Sequence, residues 1–237
     1  MYIPVTVFLR ERKPRFFEGL ELSDVRTIMA AGTQQRFSTN TVIARQGYSA
    51  GHLYLLLTGR LRRFFTTIDG QKIVLLRVTA GEVFGEAAVL AKPVEYLVSS
   101  EAATNTTTLV WSRSTVRDLC ARYPRLLENT LLIAFDYLVG YRTAHASLIC
   151  DSAPQRLAQV LANLSDGIGQ KVPGGVELDI RNEELADEAH ISLFTASRLL
   201  SAWQRQGMLE KRRGKILLRY PARLLRRSVA PSASFGT

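Results

Sequence analysis

The side chains with most chemistry to offer stand close together late in the chain. On a helix over residues 193–203, Leu193, Phe194, Ser197, Arg198 and Ser201 share one face. The other face carries Ala196, Leu199, Leu200 and Trp203 at i, i+3, i+4 and i+7, the spacing of a buried stripe. A basic strip follows. Between residues 198 and 227 there are ten basic residues (Arg198, Arg205, Lys211, Arg212, Arg213, Lys215, Arg219, Arg223, Arg226 and Arg227) against one acid, Glu210. The whole chain of 237 residues has a net charge of only +10, so most of the excess is local, and a local excess favours phosphate contacts. Lys211, Arg212, Arg213 and Lys215 are expected to lie along the phosphates of double-stranded DNA.

The frame for these groups is legible over residues 181–206, where two short amphipathic helices are joined by a tight turn. Asn182 is the expected N-cap of the first, and Glu183 and Glu184 suit the positive end of its dipole. Ser192 is the expected N-cap of the second, and small Ala186 allows a close crossing. This is the layout of a helix-turn-helix, whose second helix lies in the DNA major groove. Residues 209–212 and 215–219, joined at Arg213-Gly214, read as the hairpin of a wing.

Upstream, residues 1–20 are irregular and residues 22–31 read as a short helix opened by Ser23 or Asp24. Short β-rich runs follow at 41–45, 52–57, 60–66, 72–78, 96–100 and 107–111, punctuated by turn signals such as Asp69-Gly70. Many short, evenly spaced strands indicate a small roll. Residues 114–123 form a helix stopped by Pro124, and a long helix runs over 124–149. Its Leu127, Leu131, Ala134, Leu138, Tyr141, His145 and Leu148 recur at near-heptad spacing, a seam expected to pack on a second copy. Residues 151–154 break the helix and serve as hinge. A helix at 155–165, a Gly-rich loop at 166–175 and a disordered tail at 228–237 complete the chain. The expected fold is α+β: an N-terminal jelly-roll-like β-roll (domain 1–150, including the dimerisation helix 124–149) joined to a C-terminal winged helix-turn-helix (151–237).

Other chemistries lack their residues. There is no Gly-x-Ser-x-Gly elbow, Walker loop, Gly-x-Gly-x-x-Gly or His-x-x-x-His motif, so no catalytic residue is assigned and the chain is read as no enzyme. Three His and two Cys, scattered, give no metal site. No run of ~18 apolar residues could span a membrane, and no secretory signal is seen. With Cys120 and Cys150 as its two thiols, the chain is read as cytoplasmic, and Cys150 as a buried structural thiol ahead of a redox switch.

A small β-roll, a long helix and a winged helix-turn-helix, in that order, resemble the Crp/Fnr family of bacterial transcription regulators. The motifs that carry the resemblance are GYSAGHLYLLLTG at 47–59, GEVFGE at 81–86 and TASRLL at 195–200, and it spans residues 20–220. It implies a homodimer joined through the long helix and a cyclic-nucleotide-binding-like sensor with an effector pocket inside the roll. It also implies two recognition helices about one DNA turn, roughly 34 Å, apart on a pseudo-palindrome. Thr195, Ser197 and Arg198 fall in the recognition helix, and Arg198 matches the family arginine that reads a guanine edge. Where base-reading Glu and Arg are common, this chain has Phe194 and Leu193, which are expected to touch thymine methyls. His190 takes a turn position usually held by Gly. RNA polymerase is the further partner that an activator of this family would require.

The effector site departs from the cyclic-AMP-binding pattern. Gly85 and Glu86 match the phosphate cassette, but the Arg-Ser pair that clamps the cyclic phosphate aligns with Tyr96 and Leu97, and the adenine-facing polar pair with Tyr141 and Arg142. A buried phosphate needs a cation or a set of donors. Cyclic AMP is therefore not expected as effector, and Glu86 is read as capping the turn that follows it. No cofactor is assigned. An iron–sulfur cluster lacks cysteines ahead of Cys120, and haem would rest on a lone His52 or His145. The effector is left as an apolar or aromatic ligand, or none. The competing reading is a regulatory module that answers cyclic AMP or cyclic GMP through an altered pocket.

Overall fold

The structure, a computed structural model, describes Phe8, residues 14–212 and residues 214–220. Arg213, the expected tail at 228–237 and the basic positions Arg223, Arg226 and Arg227 lie outside the described residues. The chain forms two compact units, residues 1–142 and 143–237.

The first unit opens with a 3-10 turn Arg15–Phe17 and helix α1 (Leu22–Ala30), then β1 (Thr33–Phe37), β2 (Val42–Ala44), β3 (His52–Thr58), β4 (Arg60–Thr66), β5 (Lys72–Thr79), β6 (Val83–Phe84), a 3-10 turn Glu86–Val89, β7 (Ser99–Ala102), β8 (Thr106–Ser112), α2 (Arg113–Arg122) and the part of α3 (Pro124–Cys150) up to residue 142. The strands make two antiparallel four-stranded sheets, ordered β1-β8-β3-β6 and β2-β7-β4-β5. β3 shows why the roll holds together. Its side chains alternate between faces, and both faces are covered. Leu53, Leu55 and Leu57 enter a core shared with Phe16, Ile28, Trp111, Leu119 and Leu126. Tyr54 and Leu56 enter a second core with Leu61, Val78, Phe84 and Val110. The helices are tied to the roll by specific polar bonds. Trp111 Nε1 donates to the Ile28 carbonyl at 2.8 Å, and Asn129 Nδ2 donates to the carbonyls of Phe16 and Glu18 at 3.0 and 2.9 Å.

α3 buries Leu126, Asn129, Thr130 and Ile133. Its heptad seam is not the face that does so: Leu127, Leu131, Leu138 and Leu148 are all exposed, Leu138 to 60%. Ser112 caps α2, accepting from the Thr115 N–H at 3.1 Å. Two strands carried no sequence signal. β1, TQQRF, is polar and largely exposed, so nothing alternates, and β6 is two residues long. β7 lies later than the expected 96–100, because Tyr96 gives its backbone bonds to the turn at residues 47 and 48 instead. Cys150 is exposed, which corrects the reading of it as buried, while Cys120 is buried.

In the second unit, α4 (Ala153–Gly167) begins within the expected break, which does end the long helix at Cys150, with Pro154 in its first turn and Ser152 as N-cap. β9 (Gln170–Val172) and β10 (Gly175–Asp179) form a hairpin where a loop was expected. Then come α5 (Asn182–Glu188), α6 (Leu193–Arg205), β11 (Leu209–Arg212) and β12 (Lys215–Leu218), with the strands ordered β11-β12-β10-β9. Leu157, Leu161, Leu178, Leu185, Leu200, Trp203, Ile216 and Leu218 form the core beneath them.

Candidate DNA interface and effector pocket

α5, its turn and α6 have the expected geometry with one changed cap. Arg181, not Asn182, is the N-cap of α5, and the Glu184 carboxylate reaches back to the Arg181 N–H at 3.4 Å and Nε at 3.2 Å. Ser192 caps α6 as expected, accepting from the Thr195 N–H at 3.1 Å. Ala186 is buried at the crossing. His190 stands at φ +50°, the left-handed conformation that the turn demands.

Arg156 of α4, which carries no local sequence signal, holds this turn. Its Nε donates to the Ala189 carbonyl at 2.9 Å, its Nη2 to the His190 carbonyl at 3.3 Å and its Nη1 to the Asp151 carbonyl at 2.8 Å. Burial, with the Arg156 charge beside it, holds the His190 imidazole below its ordinary value.

The stripe Ala196, Leu200 and Trp203 is buried, with Leu199 packed against it. Leu193 is 45% and Phe194 77% exposed, and Arg198 is exposed with no hydrogen bond or ion pair among the described residues. Thr195 and Ser197 are half-buried beside them.

The wing is less free than its sequence suggests. Lys211 Nζ donates to Ser201 Oγ at 3.0 Å, which ties the wing to α6. Lys215 Nζ and Arg212 Nη1 both reach Glu177 of β10, at 2.5 and 3.4 Å, and Arg212 also pairs with Glu210 at 3.1 Å. Hydrogen bonding from Lys215 holds the Glu177 carboxyl below its usual range. Glu177 lies far upstream of the strip, so a local charge count missed it.

In the first unit a cavity of about 250 Å³ opens between the roll and α3. Of the six residues named for an effector pocket, Gly85, Glu86, Tyr96, Leu97 and Tyr141 line it; Arg142 does not, and is exposed. Gly85 sits at φ +83°, and a Cβ there would meet the His52 carbonyl at 2.5 Å. Glu86 does not cap its turn. Its carboxylate accepts from both terminal nitrogens of Arg63, at 3.0 and 3.3 Å, because β4 delivers that guanidinium to the same wall. Burial alone would weaken the Arg63 charge, but Glu86, together with Tyr141 and Tyr137, holds the guanidinium above its ordinary value. The guanidinium also lies 4.5 Å from the Tyr137 ring centroid.

Tyr96, which the resemblance aligns with the clamping arginine, is committed to its own roll: its hydroxyl donates to the His52 carbonyl at 2.8 Å and accepts from the His52 N–H at 3.0 Å. Burial raises the phenols of Tyr137 and Tyr141, so both stay protonated. Arg63 and Tyr137 were missing from the sequence reading. The signal for Arg63 was parity, since it sits two residues after inward-facing Leu61 on a strand.

Two family models match the chain, one described as a cyclic nucleotide-binding domain over residues 34–123 and one as a Crp-like helix-turn-helix domain over residues 155–227. The chain is 29% identical over 214 residues to the cyclic AMP receptor protein of Thermus thermophilus, covering 88% of this chain and 94% of that protein. It is 22% identical over 214 residues to the CRP-like cAMP-activated global transcriptional regulator of Mycobacterium tuberculosis, covering 90% and 95%. Among solved structures, FixK2 from Bradyrhizobium japonicum matches with a TM-score of 0.73 at 21% identity, covering 85% of this chain and 99% of that one. The c-di-GMP-responsive regulator CLP of Xanthomonas campestris also matches with a TM-score of 0.73, at 22% identity and covering 84% and 99%.

Proposed function

Because the chain belongs to the Crp/Fnr family of transcriptional regulators, we propose that it acts as a homodimer, reads a pseudo-palindromic operator through α6, and answers to something other than cyclic AMP. The observation that carries the reading is the sorting of α6. Its apolar stripe is fixed in the core of its unit, while Leu193, Phe194 and Arg198 stand together in solvent at its N-terminal half. That is the end of a recognition helix that meets base edges. Arg198 is assigned to a guanine O6/N7 pair, and Leu193 and Phe194 to neighbouring thymine methyls. Lys211, Arg212 and Lys215 are assigned to phosphates.

Dimerisation is supported by the seam of α3. Leu127, Leu131, Phe135 and Leu138 are exposed although the same helix packs its other face on the roll. A helix apolar on a second, outward face calls for a partner. Independence from cyclic AMP is supported by the cavity. The residue in the clamp position is Tyr96, whose hydroxyl is already bonded, and the cation present, Arg63, is already paired with Glu86.

Selection of duplexes from a random pool by the purified protein, with and without cyclic AMP, tests all three parts. The expected product is an inverted repeat with a guanine beside T·A pairs, unchanged by the nucleotide. Recovery of no preferred sequence, of an unpaired half-site, or of a repeat only when cyclic AMP is added overturns the reading.

A further inference from the structure

We propose that the cavity between the roll and α3 takes an uncharged molecule of about one substituted aromatic ring, and that the Arg63–Glu86 pair is what turns anions away. The inference rests on reading this cavity as the effector pocket, and adds the chemical class of what enters it.

Three observations converge. The first is size. An apolar cavity of ~150 Å³ accepts benzene, and this one is about 250 Å³. That is room for a ring with one or two substituents. The second is the wall, which is built mainly of Ala87, Val89, Leu90, Val98, Leu131 and Ala134.

The third is charge. Among the described residues, Arg63 and Glu86 are the charged side chains that line the cavity, and they cancel in a two-pronged pair, with both side chains nearly buried. An anion entering would add a negative charge with no free cation to meet it. It would otherwise have to expel Glu86 from Arg63 and leave that carboxylate unpaired against apolar walls. Either way a charge is desolvated without compensation. An uncharged ligand avoids that cost.

The cavity also specifies a polar handle. Among the described residues, Tyr141 Oη and Arg63 Nε are buried without a hydrogen-bond partner, and both side chains line the cavity. Buried polar groups are normally satisfied. A carbonyl, ether or hydroxyl oxygen on the ligand would accept from the Tyr141 hydroxyl. Because Tyr141 and Tyr137 belong to α3 and Arg63 to β4, such a ligand would bridge helix and roll.

Titrating the full chain with acetophenone, benzoate and cyclic AMP, followed by ligand-observed NMR and thermal denaturation, tests this. Acetophenone is expected to bind saturably and raise Tm with concentration, with benzoate and cyclic AMP weaker by on the order of tenfold or more. Glu86→Gln leaves Arg63 unmatched and is expected to reverse the order, so that benzoate binds more tightly than acetophenone. Tyr141→Phe, which removes a hydroxyl without a partner and so spares the fold, is expected to weaken acetophenone by about three- to tenfold. Ala87→Phe fills the cavity and abolishes binding.

Benzoate or cyclic AMP binding the wild type as tightly as acetophenone, and losing it in Ala87→Phe, sinks the charge argument and leaves the pocket standing. No saturable binding of any of the three, or binding indifferent to Ala87→Phe, removes the pocket as well. Should Glu86→Gln not fold, the wild-type ranking and Tyr141→Phe decide.

Discussion

Arg198 is exposed without a partner among the described residues, whereas Arg63, Arg156 and Arg212 each meet named acceptors. The contrast separates an arginine that can read from arginines that hold. Arg198→Ala is expected to cost ~1–3 kcal/mol on the preferred operator and nothing further when the guanine is replaced. A competition assay on the two duplexes measures both. His190 gives a pH dependence of known sign. Its folded-state value lies below the ordinary 6.5, through burial and the Arg156 charge, with Asp187 opposing. Between those two values the unfolded chain takes up the proton first, so stability is complete above about 6.5 and falls as pH drops below it. His190→Asn keeps a residue that tolerates positive φ and removes the titration. Denaturant unfolding at pH 5.5 and 7.5 is expected to show a smaller difference for the variant than for the wild type.

Helix α6 was readable from sequence because everything that makes it is local: Ser192 caps it, its stripe recurs at helical spacing, and its outward face is exposed or half-buried. The wing and the long helix were readable for the same reason. What was not readable depends on residues far apart in sequence. Arg63 and Glu86 meet across two elements, Glu177 reaches the wing from β10, and β1 is a strand only because β8 supplies its pairing register. The turn of the helix-turn-helix belongs to this class as well. Arg156 fixes it from α4 by bonding two consecutive carbonyls at a left-handed residue. Arg156→Ala leaves those carbonyls without their charged donor and is expected to destabilise the C-terminal unit by about 1–3 kcal/mol. DNA affinity should fall with it, and the loss should appear on specific and nonspecific duplexes alike. For α3, Leu138→Glu places like charges on the exposed seam. Sedimentation velocity is expected to show the monomer, with operator affinity reduced and the fold retained by circular dichroism.

Across the molecule, the two units differ in where their charges are met. The C-terminal unit pairs Arg212 and Lys215 with Glu177 on an exposed wing and leaves Arg198 without a partner among the described residues, and the N-terminal unit balances its buried charges in pairs, Arg63 with Glu86 and Arg62 and Lys72 with Glu101. No described helix is long and apolar enough to cross a membrane. The matched pair in the cavity has a practical corollary. Counterions are shed when a protein lands on phosphates, so operator affinity should drop by on the order of a thousandfold or more between about 50 and 200 mM salt if six or more phosphates are neutralised. A site whose own charges sum to zero, filled by a molecule that carries none, exchanges no ions with the medium. Raising the salt should therefore strip the protein from DNA while leaving the effector site filled, and one ionic-strength titration would measure the two equilibria apart.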